Sequence, residues 1–96
     1  MAKKPLDWSN RALAEVVRIV DFYVTEASDL IAEEAFASIQ RAAKAIQSNP
    51  LHYREGKKQG TREYIVRRFP YVIIYRVRTD RIQIARVLHQ AMRYFN

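Results

Sequence analysis

The sequence predicts an α+β fold: a short N-terminal strand, then an antiparallel α-helical hairpin packed on an antiparallel β-sheet meander. Three observations carry this. Between about residues 10 and 47 apolar side chains recur at the three- and four-residue spacing of helices, with one interruption near Ala27 and Ser28. From Thr61 to His89 the period changes to the alternation of strands, broken at Phe69-Pro70 and at Thr79-Asp80. Charge divides along the same line. Residues 1–48 hold six lysines and arginines against seven acids, whereas residues 49–96 hold eleven against three, so one half supports and the other meets something anionic.

Taken in order, Pro5 to Trp8 form a candidate strand, and Ser9 or Asn10 is placed to accept the free N–H groups of the helix that follows. That helix runs to about Glu26. Its expected buried stripe is Leu13, Val16, Val17, Val20, Tyr23 and Val24, widened by Ile19 and Phe22, with Arg11, Glu15, Arg18 and Asp21 mainly on the far side. Ser28 or Asp29 restarts the pattern, and the shortness of the link folds the second helix back as a hairpin reaching about Gln47. Its inward residues are Ile31, Ala35 or Phe36, Ile39, Ala42 or Ala43, and Ile46, and its alanines favour both helix and close approach. Ser48, Asn49 and Pro50 end it.

Leu51 to Gly60 read as a polar loop containing Lys57 and Lys58. Three strands follow, Thr61–Arg68, Tyr71–Arg78 and Arg81–His89. In the second, Tyr71, Ile73, Tyr75 and Val77 share a face opposite Val72, Ile74, Arg76 and Arg78. In the third, Ile82, Ile84, Arg86 and Leu88 alternate with Gln83, Ala85, Val87 and His89. Both faces are apolar in mid-strand, so the helices are expected to cover one side, with arginines emerging where cover ends.

Ninety-six residues make a single domain over residues 1–96, since a chain this short does not divide its buried surface between two cores. A hydrophobic content of 49% places it among globular chains rather than disordered ones. The absence of cysteine excludes disulfides and thiolate metal sites and fits the cytoplasm. No apolar run has the length of a signal peptide or membrane span, so no membrane partner is expected. The net charge of +7 and pI near 10.1 favour nucleic acid, the ribosome or an acidic protein segment.

Catalytic constellations are sparse. The two histidines are His52 and His89, and there is no phosphate-binding glycine loop, nucleophile elbow or metal spacing, so no cofactor or metal is expected. The chemistry left open is metal-free RNA cleavage, in which arginine or lysine stabilises phosphorane charge while histidine, glutamate or tyrosine moves protons. Arg62, Glu63, Arg67, Arg76, Arg86, His89, Arg93 and Tyr94 are the side chains of that type. Set against this, each arginine is also an ordinary solvated strand position whose stem covers apolar surface. His89 equally suits a hydrogen-bonded structural role at the end of an apolar strand, and Tyr64, Tyr71 and Tyr75 suit sheet packing.

The element order, together with Gly60-Thr61-Arg62-Glu63-Tyr64-Ile65-Val66, Pro70-Tyr71-Val72-Ile73-Ile74-Tyr75-Arg76-Val77 and Arg86-Val87-Leu88-His89-Gln90, resembles the ParE/RelE toxin superfamily across essentially the whole chain. The resemblance implies a small bacterial toxin of a type II toxin–antitoxin system, neutralised by a cognate antitoxin that is acidic, folds on binding and forms a hetero-oligomer with it. Two activities are known in the superfamily. RelE-like members are ribosome-dependent mRNA endonucleases, and ParE-like members inhibit DNA gyrase without nuclease chemistry. The nuclease branch carries an arginine after the aromatic residue that opens the central strand, where this chain has Val72. Val87-Leu88-His89-Gln90-Ala91-Met92 is similar to the ParE ending, with Arg93 at a position often taken by aspartate. The resemblance therefore points to gyrase inhibition, with no catalytic residue, and to Arg62, Arg67, Arg76, Arg86, His89 and Arg93 as contacts to target or antitoxin. In the alternative nuclease reading Arg62, Arg76, Arg86 and His89 form the site, with the ribosome and mRNA as partners.

Overall fold

Both helices start on a serine. Ser9 Oγ accepts the N–H of Ala12 at 3.0 Å and Ser28 Oγ that of Ile31 at 3.1 Å, each satisfying an amide that the helix itself leaves free. In the computed structural model, which describes residues 3–92, these caps open α1 (Asn10–Glu26) and α2 (Asp29–Ser48), after β1 (Leu6–Trp8) and before β2 (Arg62–Ile65), β3 (Tyr71–Val77) and β4 (Ile82–His89). The order and the helical limits agree with expectation. β2 is shorter than the predicted Thr61–Arg68, because the chain bends after Ile65 and Arg68 takes a positive φ of 76° that no strand accommodates. Arg68 is held in that conformation by an ion pair with Glu34 of α2 and by its guanidinium lying 5.3 Å from the centre of the Phe69 ring.

The β2–β3–β4 meander is antiparallel as predicted, but the sheet has four strands in the order β1-β4-β3-β2, and β1 pairs in parallel with β4. Leu6 to Trp8 lie in register with Ile82 to Ile84, so the first strand and the last are neighbours. The hairpin covers one face. Ala12, Val16 and Ile19 of α1 and Ala35, Ile39, Ala42 and Ile46 of α2 meet Tyr71, Ile73, Tyr75, Ile82, Ile84 and Val87 in a single cluster of buried residues. Alanines at the helix positions allow the backbones to approach the sheet closely.

Two expectations are corrected here. The α1 stripe is rotated from the predicted one: Leu13, Val17 and Val24 are exposed by 48%, 58% and 47%, whereas Ala12 and Glu15 are buried. α1 is apolar over more than half its circumference, so spacing alone allowed two adjacent stripes, and the one containing the small Ala12 is the one that fits against the sheet. In α2 the same choice favours Ala35 over Phe36, which is left 42% exposed. The simple alternation predicted for β4 also fails. The β3–β4 register slips between Ile74 and Tyr75, which face Arg86 and Ile84, so Ala85 is the extra residue of a β-bulge. The bulge reverses the faces beyond it, sending Val87 into the core and Arg86 with Leu88 to the open side.

Tyr75 is fully buried beneath the hairpin, and its hydroxyl donates to Pro50 O at 2.6 Å, closing the exit of α2. Burial pushes its pKa from 10.0 up to about 12, with the Arg62 charge opposing the rise. Tyr71, buried and bonded to the Tyr23 hydroxyl at 3.5 Å, is raised as well. The folded state thus favours the neutral phenols. Their contribution is complete below pH 10.0 and declines as pH rises through about 12, so spectrophotometric titration should show two of the six tyrosines ionising only with alkaline unfolding. At neutral pH, Tyr75→Phe leaves the Pro50 carbonyl unpaired and is expected to cost about 1–2 kcal/mol in urea unfolding.

Candidate functional site

The face of the sheet turned away from the hairpin is hollow. A cleft of about 300 Å³ has Ile74, Ala85 and Leu88 among its walls, and the charged side chains lining it are Arg11, Lys57, Lys58, Arg76, Arg86 and Glu63. Among the described residues, five cations to one carboxylate make it electropositive. Each element contributes for a local reason. The 51–60 loop turns back at Gly60, whose φ of +81° suits glycine, and Arg76 Nη1 donates to Gln59 O at 3.3 Å beside that turn. Gly56 is equally constrained, since a Cβ there would collide with Thr61 Oγ1. Thr61 Oγ1 donates in turn to Lys58 O at 2.5 Å, holding the lysine pair at the rim of the cleft. Glu63 is buried and receives Arg54 Nε at 3.1 Å.

Arg86 is fixed from beneath. Its Nε and Nη2 donate to Glu15 Oε2 at 2.8 and 2.7 Å, while Glu15 Oε1 accepts the N–H of Val87 at 2.8 Å. Glu15, expected on the solvent side of α1, is therefore a buried carboxylate holding both the bulged strand and the cleft arginine. Ser9 completes the attachment: its N–H donates to Ile84 O at 3.0 Å and its hydroxyl to Ala85 O at 2.8 Å, while that hydroxyl also caps α1.

The predicted site residues do not converge. Arg76 and Arg86 share the cleft. Arg62 lies elsewhere, its Nη1 donating to Tyr53 O at 2.7 Å and Leu51 O at 3.2 Å, so that it staples the 51–60 loop. Arg67 is exposed in the bend after β2. His89 is exposed at the end of β4, stacked edge-on against Tyr71 at 5.8 Å, with Nδ1 accepting the Ala91 N–H at 3.1 Å. It borders a separate hollow with Phe22, Tyr71 and Met92, which among the described residues shares only Arg86 and Leu88 with the cleft. Arg93 and Tyr94 lie outside the described residues. Val72 is fully buried opposite Leu88. Arg11, Lys57 and Lys58 belong to the cleft although the sequence placed them only on the far side of the first helix and in a polar loop. Among the described residues no group of three or more His, Asp or Glu side chains could hold a metal, and no helix is long and apolar enough to cross a membrane.

Residues 6–94 match the family described as ParE toxin of type II toxin-antitoxin system, parDE. The chain belongs to the ParE toxin family. A Sinorhizobium fredii protein described as a candidate toxin, Y4kP, is 32% identical over 89 residues, covering 93% of this chain and 91% of that one. A solved chain of the chromosomal ParDE TA system from P. aeruginosa superposes with a TM-score of 0.83 at 28% identity, covering 91% of this chain and 96% of that one. The likeness spans both the hairpin and the meander, so the cleft lies within the ParE fold rather than on an addition to it.

Glu15 is the residue by which the geometry of this ParE cleft can be tested. Glu15→Ala strips Arg86 of its counter-charge and Val87 of its acceptor, and should lower stability in urea by about 3 kcal/mol; Glu15→Gln, which keeps an acceptor for Val87, should cost less.

Proposed function

We propose that this ParE-family chain is the toxic component of a type II toxin–antitoxin module, acting in the cytoplasm by inhibiting DNA gyrase through protein contacts. It is held in check by a cognate antitoxin in a hetero-oligomer, and no residue breaks a bond. The observation that carries this reading is the dispersal of the residues an RNA-cleaving site would need. Arg62 is engaged with loop carbonyls, His89 and Arg76 border different hollows, Arg86, which reaches both, is paired with Glu15, and apolar Val72 is buried where the nuclease branch keeps an arginine. Proton transfer and charge stabilisation must meet at one phosphate within hydrogen-bonding distance, and of the three arginines only Arg86 borders the same hollow as His89, with its guanidinium already bound to Glu15 among the described residues.

What the cleft offers is a docking surface. A concave cationic site with an apolar floor suits a protein segment that brings carboxylates beside apolar anchors, and its charge speeds encounter with an acidic partner. Arg76, half-buried, and Lys58, exposed, are cleft cations that do not belong to the buried Glu15 pair.

Two outcomes test this. Purified protein should inhibit supercoiling by gyrase while leaving mRNA intact on translating ribosomes; ribosome-dependent cleavage that Arg76→Ala or His89→Ala slows without unfolding the chain would establish the nuclease instead. Under the docking reading, Lys58→Glu combined with Arg76→Glu should weaken binding of antitoxin or gyrase by about a hundredfold at low salt, an effect that shrinks as salt rises, with circular dichroism unchanged.

A further inference from the structure

The cleft on the sheet also suits something smaller than a protein segment. Its volume of about 300 Å³ lies at the low end of small-molecule sites, which run from roughly 300 to 1,000 Å³. Two of its arginines are anchored by one edge and leave the other for a ligand. Glu15 takes Nε and Nη2 of Arg86, leaving Nη1. Gln59 O takes Nη1 of Arg76, at a place where a Cβ on Gly60 would lie 3.3 Å away. A guanidinium held in this way has given up its freedom before a ligand arrives, and its remaining N–H groups match the oxygens of a phosphate. Arg11 and Lys58 add charge, and neither makes an ion pair among the described residues. Setting Glu63 and Glu15 against the five cations of the cleft leaves three positive charges among the described residues. Beside this charge lies an apolar floor of Ile74, Ala85 and Leu88, to which the bulge residue Ala85 contributes only a methyl group, leaving room for a flat ring. Gln83 also lines the cleft; its Oε1 accepts Arg78 Nη2 at 3.3 Å, so its amide N–H groups remain to donate.

We propose that the cleft binds a free nucleoside di- or triphosphate, its phosphates on Arg76, Arg86 and Lys58 and its base over Ile74, Ala85 and Leu88 within reach of Gln83. Such a molecule concentrates in one compact head the negative charge that the cleft lacks, and joins it to a flat, largely apolar ring. A nucleic-acid strand does not match as well. It carries one phosphate per nucleotide, and a cleft of this size holds about one nucleotide, so most of the strand's charge falls outside. The inference goes beyond the docking reading and does not rest on it: a nucleotide seated here competes with any acidic segment for the same cations.

The test is isothermal titration calorimetry of the full chain at low salt with ATP, GTP, CTP, UTP, their monophosphates and inorganic triphosphate. At least one nucleoside triphosphate should bind at least about tenfold more tightly than its monophosphate, which lacks most of the charge, and than inorganic triphosphate, which lacks the base. Lys58→Ala with Arg76→Ala should weaken that binding at least about tenfold with circular dichroism unchanged. Ala85→Leu, which fills the floor, should bring the nucleotide down to the affinity of inorganic triphosphate while leaving inorganic triphosphate itself unaffected, the latter showing that the cleft is still formed. Binding of no nucleotide, inorganic triphosphate equal to every nucleotide, or an affinity that the double substitution leaves unmoved overturns the proposal. So does a single-stranded RNA of about eight nucleotides that binds about a hundredfold more tightly than any nucleoside triphosphate and is released by the double substitution, which would give the cleft to a strand. Failure of the wild-type protein to inhibit gyrase would instead sink the functional reading, and the nucleotide result is read independently of it.

Discussion

The carboxylate of Glu15 is the interaction on which the arrangement depends. An α1 side chain buried at 7% exposure would be a liability if its charge were uncompensated, and here every strong demand is met from one short segment, Arg86 and Val87. That segment follows the bulge at Ala85, where the ladder is interrupted and backbone groups would otherwise lack partners. Ser9 supplies what remains, bonding to Ile84 O and Ala85 O while opening the helix. Three features meet at this one attachment: the rotation of α1, the face reversal that sends Val87 inward, and the fixed place of Arg86 in the cleft. Bonds to charged partners at 2.7 to 2.8 Å make the attachment directional, so it specifies the pairing of α1 with β4 as well as stabilising it.

The elements themselves were legible in the sequence because they rest on local rules: serine caps, helical spacing, and alternation around Tyr71 to Val77. What was not legible depends on contacts far apart in the chain. Nothing local in Leu6 to Trp8 announces pairing with residues 82–84, and nothing in Ile82 to His89 marks Ala85 as the bulge, since an alternating apolar pattern continues through it. Glu15 was misplaced for the same reason; an isolated acid in an amphipathic helix reads as solvated unless its cation, 71 residues away, is known. The site was legible as chemistry more than as geometry. Positive charge in the second half was plain, but the separation of Arg62 and His89 from Arg76 follows from loop carbonyls and a strand end that sequence does not place.

The two hollows assign different physics to the two layers. On the sheet, charge sits over an apolar floor, which favours fast, salt-sensitive encounter. On the outer side of the hairpin a second hollow has Val17, Val24 and Phe36 exposed beside Asp21, Asp29 and Glu33, so apolar surface there has an acidic border. A fold of this size has little interior to give to an enclosed pocket, and surfaces of these two kinds are what a thin two-layer molecule can offer. Both hollows draw on the same element, α1, whose inward face is tied to β4 and whose outward face lines the outer hollow.

The parallel pairing of β1 with β4 sets when this protein can come into being. As the chain emerges from the ribosome, the hairpin is complete by Ser48, but the strand that lies between β1 and β3 appears only after β2 and β3 have emerged. Until then β1 has no neighbour, Glu15 has no cation, and Tyr75 has only half of its sheet. An emerging chain therefore exposes both the inner and the outer apolar faces of the hairpin before the cleft on the sheet has formed. Late closure of the sheet therefore orders the two layers in time: the outer face of the hairpin exists before the cleft on the sheet does.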